Sequence, residues 1–253
     1  MNPPVKLASF FHRGVPFNVI RDDLLPGGTK QRALETYLES FSNVTEYVYA
    51  GPDTGYTQIA LAHVCHRLNK RAVIFASGLK GTPAETCQRA AEYEGVTMHH
   101  LKTDFKGIME AASKYVKTTS GSVLIPFELA NTNYLNILIE RLKEAVADIP
   151  APKRVWIPTG NGTLLRALAA VWPKSKLLVV SVIKPIDWKL YPEEIQRNVK
   201  EYSATAHYKV FEEVKPHDTP PYPSLPAYDS KVWIFAKNDL QPNDYIWNVG
   251  AGI

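Results

Sequence analysis

Lys30 follows Pro26-Gly27-Gly28-Thr29 in "RDDLLPGGTKQRALETYLESF" (21–41) and stands where a helical pattern begins. A cation in a first helical turn meets the positive end of the helix dipole, so its charged form is disfavoured there. Such a lysine either points into water or serves as an amine, made more nucleophilic because its neutral form is favoured. A second stretch, "VWIPTGNGTLLRAL" (155–168), runs from a strand pattern through Thr159-Gly160-Asn161-Gly162-Thr163 directly into a helix pattern. Glycines there let the backbone approach a ligand, several N–H groups converge, and the helix N-terminus adds its dipole, which together suit a phosphate. The plainer alternative is a strand-to-helix turn closed by an N-cap. The P-loop lysine and the dinucleotide spacing are both missing, which favours a small phosphate over a nucleotide. A third stretch, "VYAGPDTGYTQIALA" (48–62), places Asp53, Thr54 and Gly55 at a helix start. Taken alone, Asp53 or Thr54 reads there as an N-cap.

The other candidates are weaker. His63 and His66 are three apart on a helix pattern and His99 and His100 are adjacent, with no carboxylate or cysteine at a metal-ligand spacing. Tyr222, Ser224 and Tyr228 lie in "KPHDTPPYPSLPAYDSK", where a desolvated tyrosine hydroxyl can donate a proton and where aromatics and prolines also simply pack.

The elements that must position these residues alternate. Strand patterns at 46–50, 72–76, 96–101, 122–127, 154–158 and 176–182 are separated by helix patterns, including one from Thr82 to Glu94 closed by Gly95. The helix within 131–149 carries Tyr134, Leu135, Leu138 and Leu142 on one face. Short apolar strands joined through helices imply crossover connections and a doubly wound, mostly parallel α/β sheet. We expect one compact α/β unit over 1–253, with 45–130 as a smaller lobe. Residues 184–231 break the rhythm as an irregular surface segment, and "KVWIFAK" (231–237) and "DYIWNVG" (244–250) read as two last strands. A chain that ends on a glycine turn just past a strand ends where α/β sheets bind ligands.

With 253 residues, 45% hydrophobic and 21% charged, the chain has the composition of a globular protein with a sizeable core. It has no run of membrane-span length, and its start does not read as a signal peptide. Two cysteines, Cys65 and Cys87, match no metal or redox spacing, and a cytoplasmic setting is expected. The net charge of +4 permits an anionic ligand or a nucleic-acid partner without requiring either.

Taken in order, "RDDLLPGGTK", Gly51-Pro52-Asp53-Thr54-Gly55 and Thr159–Thr163 resemble the tryptophan synthase β-like family of pyridoxal-phosphate enzymes, fold type II. The nearest branch is the aminocyclopropane-carboxylate deaminase and D-cysteine desulfhydrase group. The resemblance implies pyridoxal 5'-phosphate as cofactor, with Lys30 as the Schiff-base lysine. It implies that Asp53, Thr54 and Gly55 flank the cofactor ring and that Thr159, Gly160, Asn161, Gly162 and Thr163 hold its phosphate. The ring nitrogen is assigned to Asn248. A homodimer is in keeping with the family.

The departures from the family pattern bear on the reaction. Asp53 stands where the family has an asparagine beside the ring oxygen, and a carboxylate there needs a proton or a nearby cation. Gly51 and Pro52 replace a serine and a glycine that help hold a substrate carboxylate, and proline removes a backbone donor. The implied activity is a lyase acting at the α-carbon of an amino-acid-type substrate, by decarboxylation or by elimination and deamination. A second reading puts the same chemistry, as decarboxylation, on an amino acid joined to a thymine-derived base of phage DNA in the host cytoplasm. "RLNKR" (67–71), Lys184, Lys189 and Lys200 would then face DNA. A third reading is a non-catalytic protein that binds pyridoxal phosphate or another phosphometabolite.

Overall fold

The computed structural model describes residues 3–78 and 83–250. The first elements are β1 (Leu7–His12), β2 (Val15–Arg21), α1 (Gly28–Glu39), β3 (Glu46–Pro52), α2 (Thr57–Arg67) and β4 (Arg71–Ser77). Next come α3 (Glu85–Ala91), β5 (Val96–Leu101), α4 (Phe105–Thr118), β6 (Ser122–Leu124), α5 (Thr132–Ala145) and β7 (Arg154–Thr159). The last are α6 (Thr163–Val171), β8 (Lys176–Ser181), α7 (Glu193–Arg197), β9 (Val199–Ser203), α8 (Trp233–Asp239) and β10 (Asp244–Asn248). The chain divides into two compact units, one of residues 30–137 and one of the flanking segments 1–29 and 138–253.

Residues 30–137 carry a parallel sheet in the order β5-β4-β3-β6. Its inner strand β3 is buried along nearly its whole length, as expected for a strand covered by helices on both faces. Val48, Ala50, Val73 and Phe75 pack against Ile108 and Ala112 of α4. On α2, Ile59, Ala60, Leu61 and Val64 are fully buried.

The flanking segments carry a sheet in the order β1-β2-β10-β7-β8-β9, parallel except for the β1–β2 pair. Its core joins Phe17, Trp156, Leu178, Val180, Trp233 and Ile246. The doubly wound, mostly parallel α/β fold is therefore present. No helix among the described residues is long and apolar enough to cross a membrane.

Several elements differ from the sequence expectations. The β1–β2 hairpin had no counterpart in them. It turns at Arg13 and Gly14, both at positive φ, as a tight two-residue hairpin requires. Residues 231–237 form no strand: α8 continues a single turn at Asp229–Val232 and buries Trp233, Ile234 and Ala236. A seven-residue apolar run fits either period, and only its neighbours decide. The irregular segment contains a strand, β9, paired in register with β8. Strand β6 stops at Leu124, because Pro126 offers no N–H and a turn with Glu128 at φ 55° follows. Helix α3 spans only Glu85–Ala91, and Thr82 lies outside the described residues.

Candidate active site

The lysine-bearing turn is anchored from below. Asp22 is fully buried, and its Oδ2 accepts from Thr29 Oγ1 (2.8 Å) and Trp247 Nε1 (3.1 Å). Trp247 Nε1 also donates to Thr29 Oγ1 (2.9 Å), and Thr29 N–H donates to the Val249 carbonyl (2.9 Å). A buried carboxylate is tolerable when donors surround it, and here they fix the start of α1 to the end of β10. Lys30 follows as the third residue of α1, half-buried. Its carbonyl accepts from the Tyr134 hydroxyl (3.0 Å), which burial pushes well above the usual tyrosine range and so keeps protonated.

The glycine loop sits between β7 and α6. The Thr159 carbonyl accepts from Val182 N–H (3.0 Å), and Asn161 Oδ1 accepts from Thr163 N–H (3.0 Å). Asn161 thus provides the capping contact, while the N–H groups of Gly160, Gly162, Leu164 and Leu165 donate to no acceptor among the described residues. Free N–H groups at a helix start are the kind of donor set a phosphate needs, and the Asn161–Thr163 contact is the turn closure of the plainer alternative. The loop accommodates no side chain at its glycines: a Cβ on Gly160 would stand 3.1 Å from Tyr228 Oη, and one on Gly162 would overlap Tyr191 Oη. The Arg166 guanidinium lies 4.9 Å from the centroid of the Tyr191 ring. Tyr191 and Arg166 had not been expected here; a tyrosine 29 residues downstream of Gly162 carries no local signal.

The loop at 51–55 is turned inward. Pro52 pairs with Ser77 at the end of β3, Asp53 N–H donates to the Ser77 carbonyl (3.0 Å), and Gly55 N–H donates to the Pro52 carbonyl (2.9 Å). The Asp53 carbonyl accepts from Gln58 Nε2 (2.6 Å), Thr86 Oγ1 (2.5 Å) and Cys87 Sγ (3.3 Å). Helix α2 begins at Thr57 with Tyr56 as N-cap and no capping side chain, so neither Asp53 nor Thr54 fills the N-cap role read from the sequence. The Asp53 carboxylate instead faces His100, with Oδ2 3.8 Å from Nε2.

Asn248 ends β10 and is buried, with both ends of its carboxamide engaged: Ser224 Oγ donates to Oδ1 (3.0 Å) and Nδ2 donates to the Pro223 carbonyl (2.8 Å). Val249 N–H donates to Asp229 Oδ1 (2.9 Å), so the proline-rich segment is stitched to the strand end. The Tyr222 ring packs among Phe10, Phe17 and Trp233, and its hydroxyl has no partner among the described residues. His63 and His66 pack against Tyr93, and His99 stacks on Phe75. The basic stretch 67–71 is largely spent within its own unit. Arg67 pairs with Glu35, Lys70 Nζ donates to the Val44 carbonyl and Arg71 pairs with Glu46. Lys200 pairs with Asp239, while Lys184 and Lys189 are exposed.

No family model and no curated protein matches the chain. Solved structures do. An aminocyclopropane-carboxylate (ACC) deaminase homologue aligns over 98% of this chain and 90% of its own, with TM-score 0.76 and 14% identity. A hydrogen sulfide-producing enzyme from Fusobacterium nucleatum aligns over 99% and 96%, with TM-score 0.71 and 14% identity. Diaminopropionate ammonia lyase from Escherichia coli, in apo form, aligns over 99% and 83%, with TM-score 0.66 and 14% identity. The fold type II architecture expected from the three sequence motifs is therefore the fold of this chain.

Proposed function

We propose that the protein is a pyridoxal 5'-phosphate-dependent lyase that breaks a bond at the α-carbon of an amino-acid-type substrate, with loss of the amino group. The observation that carries this reading is the 159–165 loop, whose unsatisfied N–H groups, glycine contour and helix start suit a phosphate. Thr159, Gly160, Asn161, Gly162 and Thr163 would hold that phosphate. Lys30 would hold the cofactor covalently, Asp53, Thr54 and Gly55 would flank its ring, and Asn248 would face the ring nitrogen. When bound, the cofactor supplies an electron sink for the pair left at the α-carbon. The Lys30 ε-amine would serve as the base that takes the α-proton, and the Asp22–Thr29–Trp247 contacts hold the turn that precedes it. Deamination agrees with what several structural neighbours are named for: an ACC deaminase homologue, diaminopropionate ammonia lyase and threonine deaminase.

A second reading is decarboxylation of an amino acid joined to a thymine-derived base of phage DNA. The 51–55 loop favours it. Pro52 has no N–H, and those of Asp53 and Gly55 are already engaged, so Thr54 is the donor this loop retains for a substrate carboxylate. A carboxylate so weakly gripped is one that can leave. Salt-sensitive binding of the modified DNA, followed by release of carbon dioxide, would select this reading over deamination.

The test is the visible absorption of the protein with added pyridoxal phosphate, wild type beside Lys30→Ala. We expect a band in the wild type that Lys30→Ala lacks, and borohydride should leave the cofactor's mass on the Lys30 peptide. A wild type without that band overturns the proposal. A band that no amine substrate alters would identify a non-catalytic binding protein.

A further inference from the structure

We propose that His100 is the positioning residue for Asp53, the partner that offsets its carboxylate beside the cofactor's ring oxygen. The inference deepens the reading above and rests on it for what faces Asp53. The pair itself belongs wholly to residues 30–137. His100 lies on β5, in register with Ala76 of β4, and its Nε2 is 3.8 Å from Asp53 Oδ2. That Nε2 is shielded from solvent and makes no hydrogen bond among the described residues. Gly78 makes the approach possible. A Cβ there would overlap His100 Nε2 and stand 3.1 Å from Asp53 Oδ2.

The Asp53 backbone is held at its N–H by Ser77 and at its carbonyl by Gln58, Thr86 and Cys87, which fixes the point from which its side chain reaches toward His100. The Cys87 thiol beside it is kept neutral by burial, which pushes it up to about 11. Among the described residues His100 is the ion-pair partner of Asp53.

The chemistry explains why an aspartate is tolerated here. An asparagine amide donates N–H to an anionic oxygen, whereas an ionised carboxylate only accepts. Asp53 alone would set one anion against another. His100, with Nε2 3.8 Å from Asp53 Oδ2, is the group placed to offset that charge.

The experiment compares His100→Gln, Asp53→Asn, the double variant and Gly78→Ala. Pyridoxal-phosphate affinity is measured by absorbance titration. His100→Gln and Gly78→Ala should each weaken binding by about tenfold or more, because each leaves the Asp53 charge uncompensated. Asp53→Asn should bind at least as well as wild type, and adding His100→Gln to it should change little. Wild-type affinity in His100→Gln, or a double variant as weak as His100→Gln alone, overturns the proposal. In cofactor-free protein, the imidazole 15N signals of His100 should shift on Asp53→Asn, and unchanged signals also overturn the pair. If those signals respond but wild type binds no cofactor, the pair stands and the functional reading falls.

Discussion

Gly162 and Gly14 share one backbone conformation, φ +82° and +79°, but not one environment. An alanine in that left-handed region costs about 1–2 kcal/mol wherever it occurs. At Gly14 an added Cβ meets nothing within 4 Å, so Gly14→Ala should cost only that conformational amount. At Gly162 the Cβ would overlap Tyr191 Oη, and Tyr191 is buried, with Arg166 over its ring. Overpacking of this kind adds about 1–3 kcal/mol, so Gly162→Ala should cost roughly 2–5 kcal/mol in total. Both glycines belong to the same compact unit, which makes urea unfolding followed by tryptophan fluorescence a like-for-like assay. Tyr191→Phe provides the internal control. It removes the overlapping hydroxyl and leaves Tyr191 Cζ, at 3.1 Å, as the position of the next contact. In that background the cost of Gly162→Ala should fall close to that of Gly14→Ala. Equal losses at the two glycines, or an unchanged loss at Gly162 in the Tyr191→Phe background, would refute the claim that Tyr191 packs on the glycine loop.

Three further outcomes are expected. Thr29→Val removes a donor to buried Asp22 and an acceptor for Trp247, and should lower stability by about 1–3 kcal/mol in the same unfolding assay; a loss below roughly 0.5 kcal/mol would show that the turn is held otherwise. Lys231 is buried, with Nζ donating to the Lys209 carbonyl, and burial lowers its pKa from 10.5, so the unfolded chain binds this proton more tightly than the folded one. Its charge therefore opposes folding at neutral pH, and that penalty fades as pH rises toward 10.5. Lys231→Met should melt higher than wild type at pH 7 with a gap that closes in alkali, and a gap that widens contradicts this. Burial pushes the Cys65 thiol up to about 12 and the Cys87 thiol up to about 11, so neither should react with a thiol reagent at pH 8 until denaturant is added.

Short-range patterns were enough for the alternating elements. Strands β3, β4, β5, β7, β8 and β10 and helices α2, α4, α5 and α6 each carry their own period and boundary residues, so local chemistry reveals them. The same holds for the glycine loop, whose turn from strand to helix follows from Gly160, Gly162 and the helix that starts at Thr163. The turns that carry Lys30 and Asp53 were legible as turns that lead into helices, because each joins a turn to a helix within a few residues. Tertiary structure decided what depends on partners distant in sequence. The run 231–237 is apolar enough for a strand, yet the turn before it and the core beside Trp233 make it a helix. Strand β9, with its polar Lys200 and Glu201, exists because β8 presents an open edge to pair with. Asp53 reads locally as a helix cap. It becomes the partner of His100 only because parallel strands bring residues 47 apart in the chain to within 3.8 Å, past a glycine that leaves room for the ring. Hydrophobic period and turn chemistry are encoded over a handful of residues, whereas contacts across strands depend on register and clearance that no single stretch contains.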